Sequence, residues 1–181
     1  MTQTLWLAWA KIAESHAASA RRARESSAED RYFVEFCDGV VTITAVAMSC
    51  EALQRRLCDV APVAAPTPLK GRKKARAIDF LKEALHSALD LAAADVDALV
   101  SALEPYYEKR NAVAHFKEVA RTPKPHPAGG HTSVETVEFR VEEAENAVSA
   151  MHALYAALRD HPSAAFLDWS TANAHAFPAG V

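Results

Sequence analysis

Nine consecutive residues, Glu108-Lys109-Arg110-Asn111-Ala112-Val113-Ala114-His115-Phe116, hold the side chains best suited to chemistry in this chain. An arginine presents a permanently charged planar fork that matches phosphate oxygens. A histidine gives or takes a proton near neutral pH. Together they can run RNA cleavage without a metal. A base takes the proton of a ribose 2′-hydroxyl, an acid protonates the leaving oxygen, and a guanidinium stabilises the charged transition state. Asn111 and His115 are four apart and share one face of a helix. Arg110 and His115 are five apart, roughly 140° around an ideal helix. They do not converge by helix geometry alone, so the chemistry needs a helix distortion near His115 or a second chain. The structural alternative is a histidine that ends a helix, where a cation suits the dipole.

Other chemistries lack their motifs. No Gly-rich phosphate loop, G-x-S-x-G or H-E-x-x-H is present, so phosphate-loop enzymes, serine hydrolases of that type and zincin proteases have no support. His126 and His131 are five apart without further ligands at convincing spacing, and no metal or cofactor is expected. The densest basic run is Lys70-Gly71-Arg72-Lys73-Lys74-Ala75-Arg76. It is either a solvated helix face or a phosphate contact. On the second reading Lys70, Arg72, Lys73, Lys74 and Arg76, with Lys109 beside the motif, are the candidate RNA-binding residues. Cys37, Cys50 and Cys58 are odd in number and form no C-x-x-C. That fits buried free thiols in a reducing cytosol rather than a disulfide scaffold or a zinc site.

These residues need elements to hold them. Leu5, Trp6, Trp9, Ile12, Ala13, His16 and Ala17 recur at spacings of three and four, which predicts an amphipathic helix ending in the polar stretch 25–30. Its two tryptophans read as core packing. The stretch 32–60 is the most apolar. Its β-branched run Val40-Val41-Thr42-Ile43-Thr44 does not alternate and continues into helix formers, so it reads as one long central helix with Gly39 as a thin spot or kink. Pro62, Pro66 and Pro68 make a loop. A helix with Ile78, Leu81, Leu85 and Leu89 inward opens from the basic run. Asp95 is the expected N-cap of a short helix through Leu103, and Pro105 the first turn of another that carries the motif. Residues 121–130 form a Pro/Gly-rich loop, and a short strand or hairpin arm is expected near 134–139. A last helix spans about 141–159, and Phe166, Leu167, Trp169 and Phe177 pack back on the bundle or on a partner chain.

Composition sets the class. Of 181 residues, 39 are alanine, half are hydrophobic and 24% are charged. That is one all-α domain, 1–181, large enough for a single core. Its motif-bearing part is about 32–159, with the N-terminal helix and C-terminal tail packed on it. The net charge of −3 provides no global field for nucleic acid, so any such contact uses a local patch. The apolar start has no basic residue before it, and Lys11 interrupts it. No secretory signal or membrane span is expected, which points to a cytoplasmic protein.

Arg110-Asn111-Ala112-Val113-Ala114-His115 resembles the Arg-x4-6-His signature of the HEPN superfamily, the higher eukaryote and prokaryote nucleotide-binding domains. Asn111 directly after the arginine, and Val113 and Ala114 before the histidine, match its usual pattern. The surroundings agree. A long apolar helix with Glu51 before Ala52-Leu53 lies upstream, and a final amphipathic helix lies downstream. The resemblance implies a HEPN-like bundle of four to five helices that forms a homodimer. It further implies a metal-independent endoribonuclease site where two motifs meet between protomers. On that basis Arg110 binds phosphate, His115 is the general acid or base, and Asn111 orients them. RNA is then the substrate, in toxin–antitoxin, abortive-infection or other antiviral defence. An antitoxin or regulatory protein is the matching partner, and no membrane is involved. One toxin branch carries a tyrosine two residues after the histidine. Lys117 stands there in this chain, so control by modification of that tyrosine is not implied.

Two other readings remain open. One is a non-catalytic HEPN-like domain that binds RNA, a nucleotide or a protein, with 70–76 as the contact. The other is an unrelated helical bundle acting as an accessory protein. Glu51 either pairs with Arg110 across the bundle or is solvated. Tyr106 and Tyr107 either line a cleft or pack in the core.

Overall fold

The computed structural model describes residues 4–68, 74–114, 124–125, 131–132 and 137–177. It is an all-α bundle. In chain order the helices are α1 (Leu5–Glu25), α2 (Arg31–Val60), α3 (Ala77–Ala88), α4 (Ala93–Ala114), α5 (Val141–Asp160) and the short α6 (Leu167–Asn173), followed by a 3₁₀ turn at Ala174–Ala176. α2 is the axis of the bundle, and α1, α3, α4 and α5 all pack against it. It is long and apolar enough to cross a membrane. Half of its most apolar stretch, however, is buried against those neighbours.

α1 ends at Glu25 as its sequence predicts, but its inner stripe is set differently. Trp6, Ala10, Ala13, Ala17 and Ala20 are buried at alternating spacings of four and three. Leu5 and Ile12, expected inside, are exposed. Small side chains explain the choice, because an alanine stripe lets the α1 backbone come close to α2. Trp6 is fully enclosed, with its ring centroid 5.1 Å from that of Tyr155 and 5.6 Å from that of Phe177. Trp9 is only half-buried.

α2 runs unbroken through its β-branched segment, since Thr42, Ile43, Ala45, Val46 and Ala47 are all buried. The helix continues through Gly39. A Cβ there would lie 1.7 Å from the carbonyl oxygen of Phe139, so glycine is what lets the chain entering α5 rest on α2. One turn earlier, the buried carboxylate of Glu35 accepts hydrogen bonds from Arg24 Nε at 2.7 Å and from the backbone N–H of Val141 at 2.8 Å. Glu35 thereby satisfies one of the open donors at the start of α5.

α3 begins at Ala77, so the basic run precedes the helix instead of opening it. Its inward residues Ile78, Leu81 and Leu85 are as expected, and Leu89 caps its end. The two short helices expected around Asp95 and Pro105 are one helix. Asp95 sits in the first turn of α4, not at its cap, and Pro105 lies inside it. Proline removes one backbone hydrogen bond. Leu103, Tyr106 and Tyr107, buried on either side of it, hold the helix together. The stretch 134–139 carries no strand among its described residues, because Val137 and Glu138 are helical. A two-residue antiparallel pairing lies upstream, Lys124–Pro125 with His131–Thr132. Behind α5, Phe166, Trp169 and Phe177 fold into the core while Leu167 stays exposed.

Candidate functional site

α4 carries the motif as continuous helix up to Ala114. Tyr106, Tyr107 and Val113 mark its inner side, and Arg110 lies between them in register. There its Nη2 meets the carboxylate of Glu51 on α2. The pair is largely enclosed, with the Arg110 side chain 22% and the Glu51 side chain 18% exposed. Arg110 Nε and Glu51 Oε1 are both buried without a hydrogen-bond partner among the described residues, so the two side chains meet as charges. Asn111 and Ala114 are exposed. His115 lies outside the described residues. Of the three candidate catalytic residues, the fold therefore ties Arg110 to Glu51 and leaves Asn111 facing solvent.

The candidate RNA contacts divide. Arg76 is held at 2.9 Å by Asp79, one turn into α3, and also pairs with Glu104 of α4. Those two carboxylates raise its pKa above the usual arginine value, Asp79 first. The Asp79 carboxylate also accepts the backbone N–H of Arg76 at 2.7 Å, so this arginine ties the start of α3 to α4. Lys109 pairs with Glu143 of α5, donates to the Glu138 carbonyl at 3.0 Å and stands over the Tyr106 ring. Both cations are engaged inside the chain. Lys74 is exposed. Lys70, Arg72 and Lys73 lie outside the described residues.

A feature that motif reading misses lies beside Glu51. A groove of about 520 Å³ opens between the start of α1 and the second half of α2. Glu51 is part of its wall, with Trp6, Trp9, Met48, Arg55 and Arg56. Arg55 and Arg56 are exposed, and among the described residues Arg56 has only a loose partner, Asp59, at 3.7 Å. Thr4 and Leu5 bring in the N-terminus of α1, which has no side-chain cap and no acidic residue in its first turn. The sequence holds one clue to it: Arg55 and Arg56 follow Glu51 by four and five residues on one helix.

Other polar groups are internal. Ser49 shares a hydrogen bond of 2.5 Å with the Tyr155 hydroxyl and also donates to the Trp6 carbonyl. Burial pushes the neighbouring Cys50 thiol up to about 12 and the Tyr107 and Tyr155 hydroxyls well above their usual range. Such groups stay protonated and have no acid–base use near neutral pH. Cys37 is half-buried and Cys58 exposed, so of the three thiols only Cys50 is enclosed. Among the described residues, no three His, Cys, Asp or Glu side chains come together to hold a metal ion. Compared with protein-family models, with curated proteins and with solved structures, the chain matches none.

Proposed function

We propose that this protein is a metal-independent endoribonuclease of HEPN type, acting in a defence or toxin–antitoxin setting. The single observation that carries the reading is the ion pair between Arg110 and Glu51. A motif arginine that merely decorated a helix surface would be solvated. This one is turned inward, ion-paired with a carboxylate from the central helix, and keeps a buried Nε free of acceptors among the described residues. A guanidinium set beside an acid in a largely enclosed site, with donors to spare, is suited to meet a phosphate that arrives from the open side. In this reading Arg110 stabilises the charged phosphate, His115 transfers the proton, Asn111 orients the pair, and Glu51 positions Arg110. Two chains in a homodimer supply the convergence that one helix does not.

The alternative is a non-catalytic HEPN-like domain that binds RNA, a nucleotide or a protein. The same pair favours it in one respect, because Glu51 already offsets the charge of Arg110.

The test is cleavage of a labelled structured RNA by the purified chain in excess EDTA. Wild type is expected to cut, and folded His115→Ala and Arg110→Ala variants are each expected to lose at least about a hundredfold in rate. Helicity is checked alongside, since Arg110→Ala also leaves Glu51 without its partner. Absence of cleavage across several RNAs, or cutting by a folded His115→Ala variant, removes the catalytic reading.

A further inference from the structure

We propose that the groove between α1 and α2 is a binding site for a nucleoside phosphate, either a free mononucleotide or one unit of a single strand. Its charged and aromatic residues lie outside the motif. The groove has the size of ordinary small-ligand sites. One wall is aromatic and apolar: Trp9 is half-buried, with Leu5 and Met48 nearby in the lining. The other wall is cationic, with the exposed Arg55 and Arg56. A half-buried indole offers a stacking face to a planar base, and paired guanidinium groups offer forked donors to a phosphate.

Electrostatics choose an anion over a cation. The groove has two carboxylates, and each is answered. Glu51 is held by Arg110, and the exposed Asp59 stands 3.7 Å from Arg56. Arg55 has no ion-pair partner among the described residues, and the uncapped start of the 21-residue α1 adds the positive end of its dipole. Trp6, a buried part of the lining, keeps its indole Nε1 without an acceptor among the described residues. Ion pairing with the rest of the fold explains Arg76 and Lys109. Trp9 packs one side against the core and leaves the rest of its ring to the groove, and nothing comparable to those ion pairs holds Arg55 among the described residues, which leaves it for a ligand.

Glu51 borders both this groove and Arg110. A nucleotide held here therefore lies beside the proposed cleavage centre, although its binding does not depend on cleavage.

The experiment is calorimetric titration of the full chain in two arms. One arm uses adenosine 5′-monophosphate. The other uses a short 2′-O-methylated oligoadenylate, which lacks the hydroxyl that cleavage needs. Saturable binding in either arm is expected, to the free nucleotide or to the strand. It should weaken about tenfold or more in Arg55→Gln/Arg56→Gln and in Trp9→Leu. Adenosine without its phosphate should bind more weakly than the monophosphate. The two arginine side chains are exposed, so that double variant keeps the fold whatever Trp9→Leu does. No binding in either arm at millimolar concentration, or equal binding by the arginine variant and wild type, overturns the inference. RNA cleavage that survives such a failure leaves the ribonuclease reading standing. Groove-dependent binding in a chain that cuts no RNA does the reverse.

Discussion

Cys50 and Cys58 carry the same thiol into opposite surroundings. Burial holds Cys50 protonated, with its pKa at about 12, and the Tyr107 and Tyr155 hydroxyls near it are raised for the same reason. The unfolded chain releases these protons at lower pH than the folded chain does. The unfolded state therefore binds fewer protons above about pH 9, and stability falls as pH rises through the ordinary thiol and phenol values. Each group adds to the loss of stability in that window. Urea midpoints measured from neutral to strongly alkaline pH should decline there, and a Cys50→Ala variant should decline less steeply. A flat alkaline limb contradicts this. At neutral pH a thiol reagent should find Cys58 at once and Cys50 only on unfolding. Exposure at this scale was only partly legible. Odd cysteine number and the lack of a C-x-x-C excluded a disulfide scaffold. Which thiol is enclosed depends on what α1, α4 and α5 place against α2, and no local pattern records that. The Arg110–Glu51 pair was one of two open choices for the same reason.

Helices were the most legible level, and their errors have causes. The long α2 was readable because a β-branched run without alternation cannot show one polar and one apolar face as a strand. The division of α4 at Pro105 was wrong because the local rule for proline ignores packing. The buried Leu103, Tyr106 and Tyr107 offset one missing hydrogen bond. In α1 the most apolar side chains misled, since close approach to α2 favoured Ala10 and Ala20 over Leu5 and Ile12. Gly39 gives the sharpest test at this scale. Replacing a helical glycine by alanine ordinarily stabilises by about 1 kcal/mol. Here the added Cβ meets the Phe139 carbonyl oxygen at 1.7 Å, a backbone atom that cannot swing aside. Gly39→Ala should therefore destabilise by on the order of 3 kcal/mol, measured by urea unfolding. A variant as stable as wild type would mean that the chain before α5 does not rest on α2 this closely.

The whole molecule was legible as a class and not as a surface. Alanine content and helical periodicity suffice for an all-α bundle. Beyond the spacing of Glu51, Arg55 and Arg56, the groove leaves no mark in the sequence, because its lining comes from residues 4–9, 48–59 and 173, which only the fold brings together. That assembly has a consequence for connectivity. The aromatic rings of Trp6 and Phe177 are 5.6 Å apart, so the two ends of the described fold meet on the same core. The order in which the helices follow one another is then a matter of where the chain happens to be cut. A circular permutant with a short linker after Phe177 and new termini in the exposed coil at Ala64–Ala65 should retain the helicity and cooperative melting of the parent. Circular dichroism and thermal unfolding check this, and loss of cooperativity would show that α1 must lead the chain. If the permutant folds, packing around α2 and not the chain order of the helices sets the bundle, and the seam where its ends are joined lies beside the groove, whose lining includes Thr4 and Asn173.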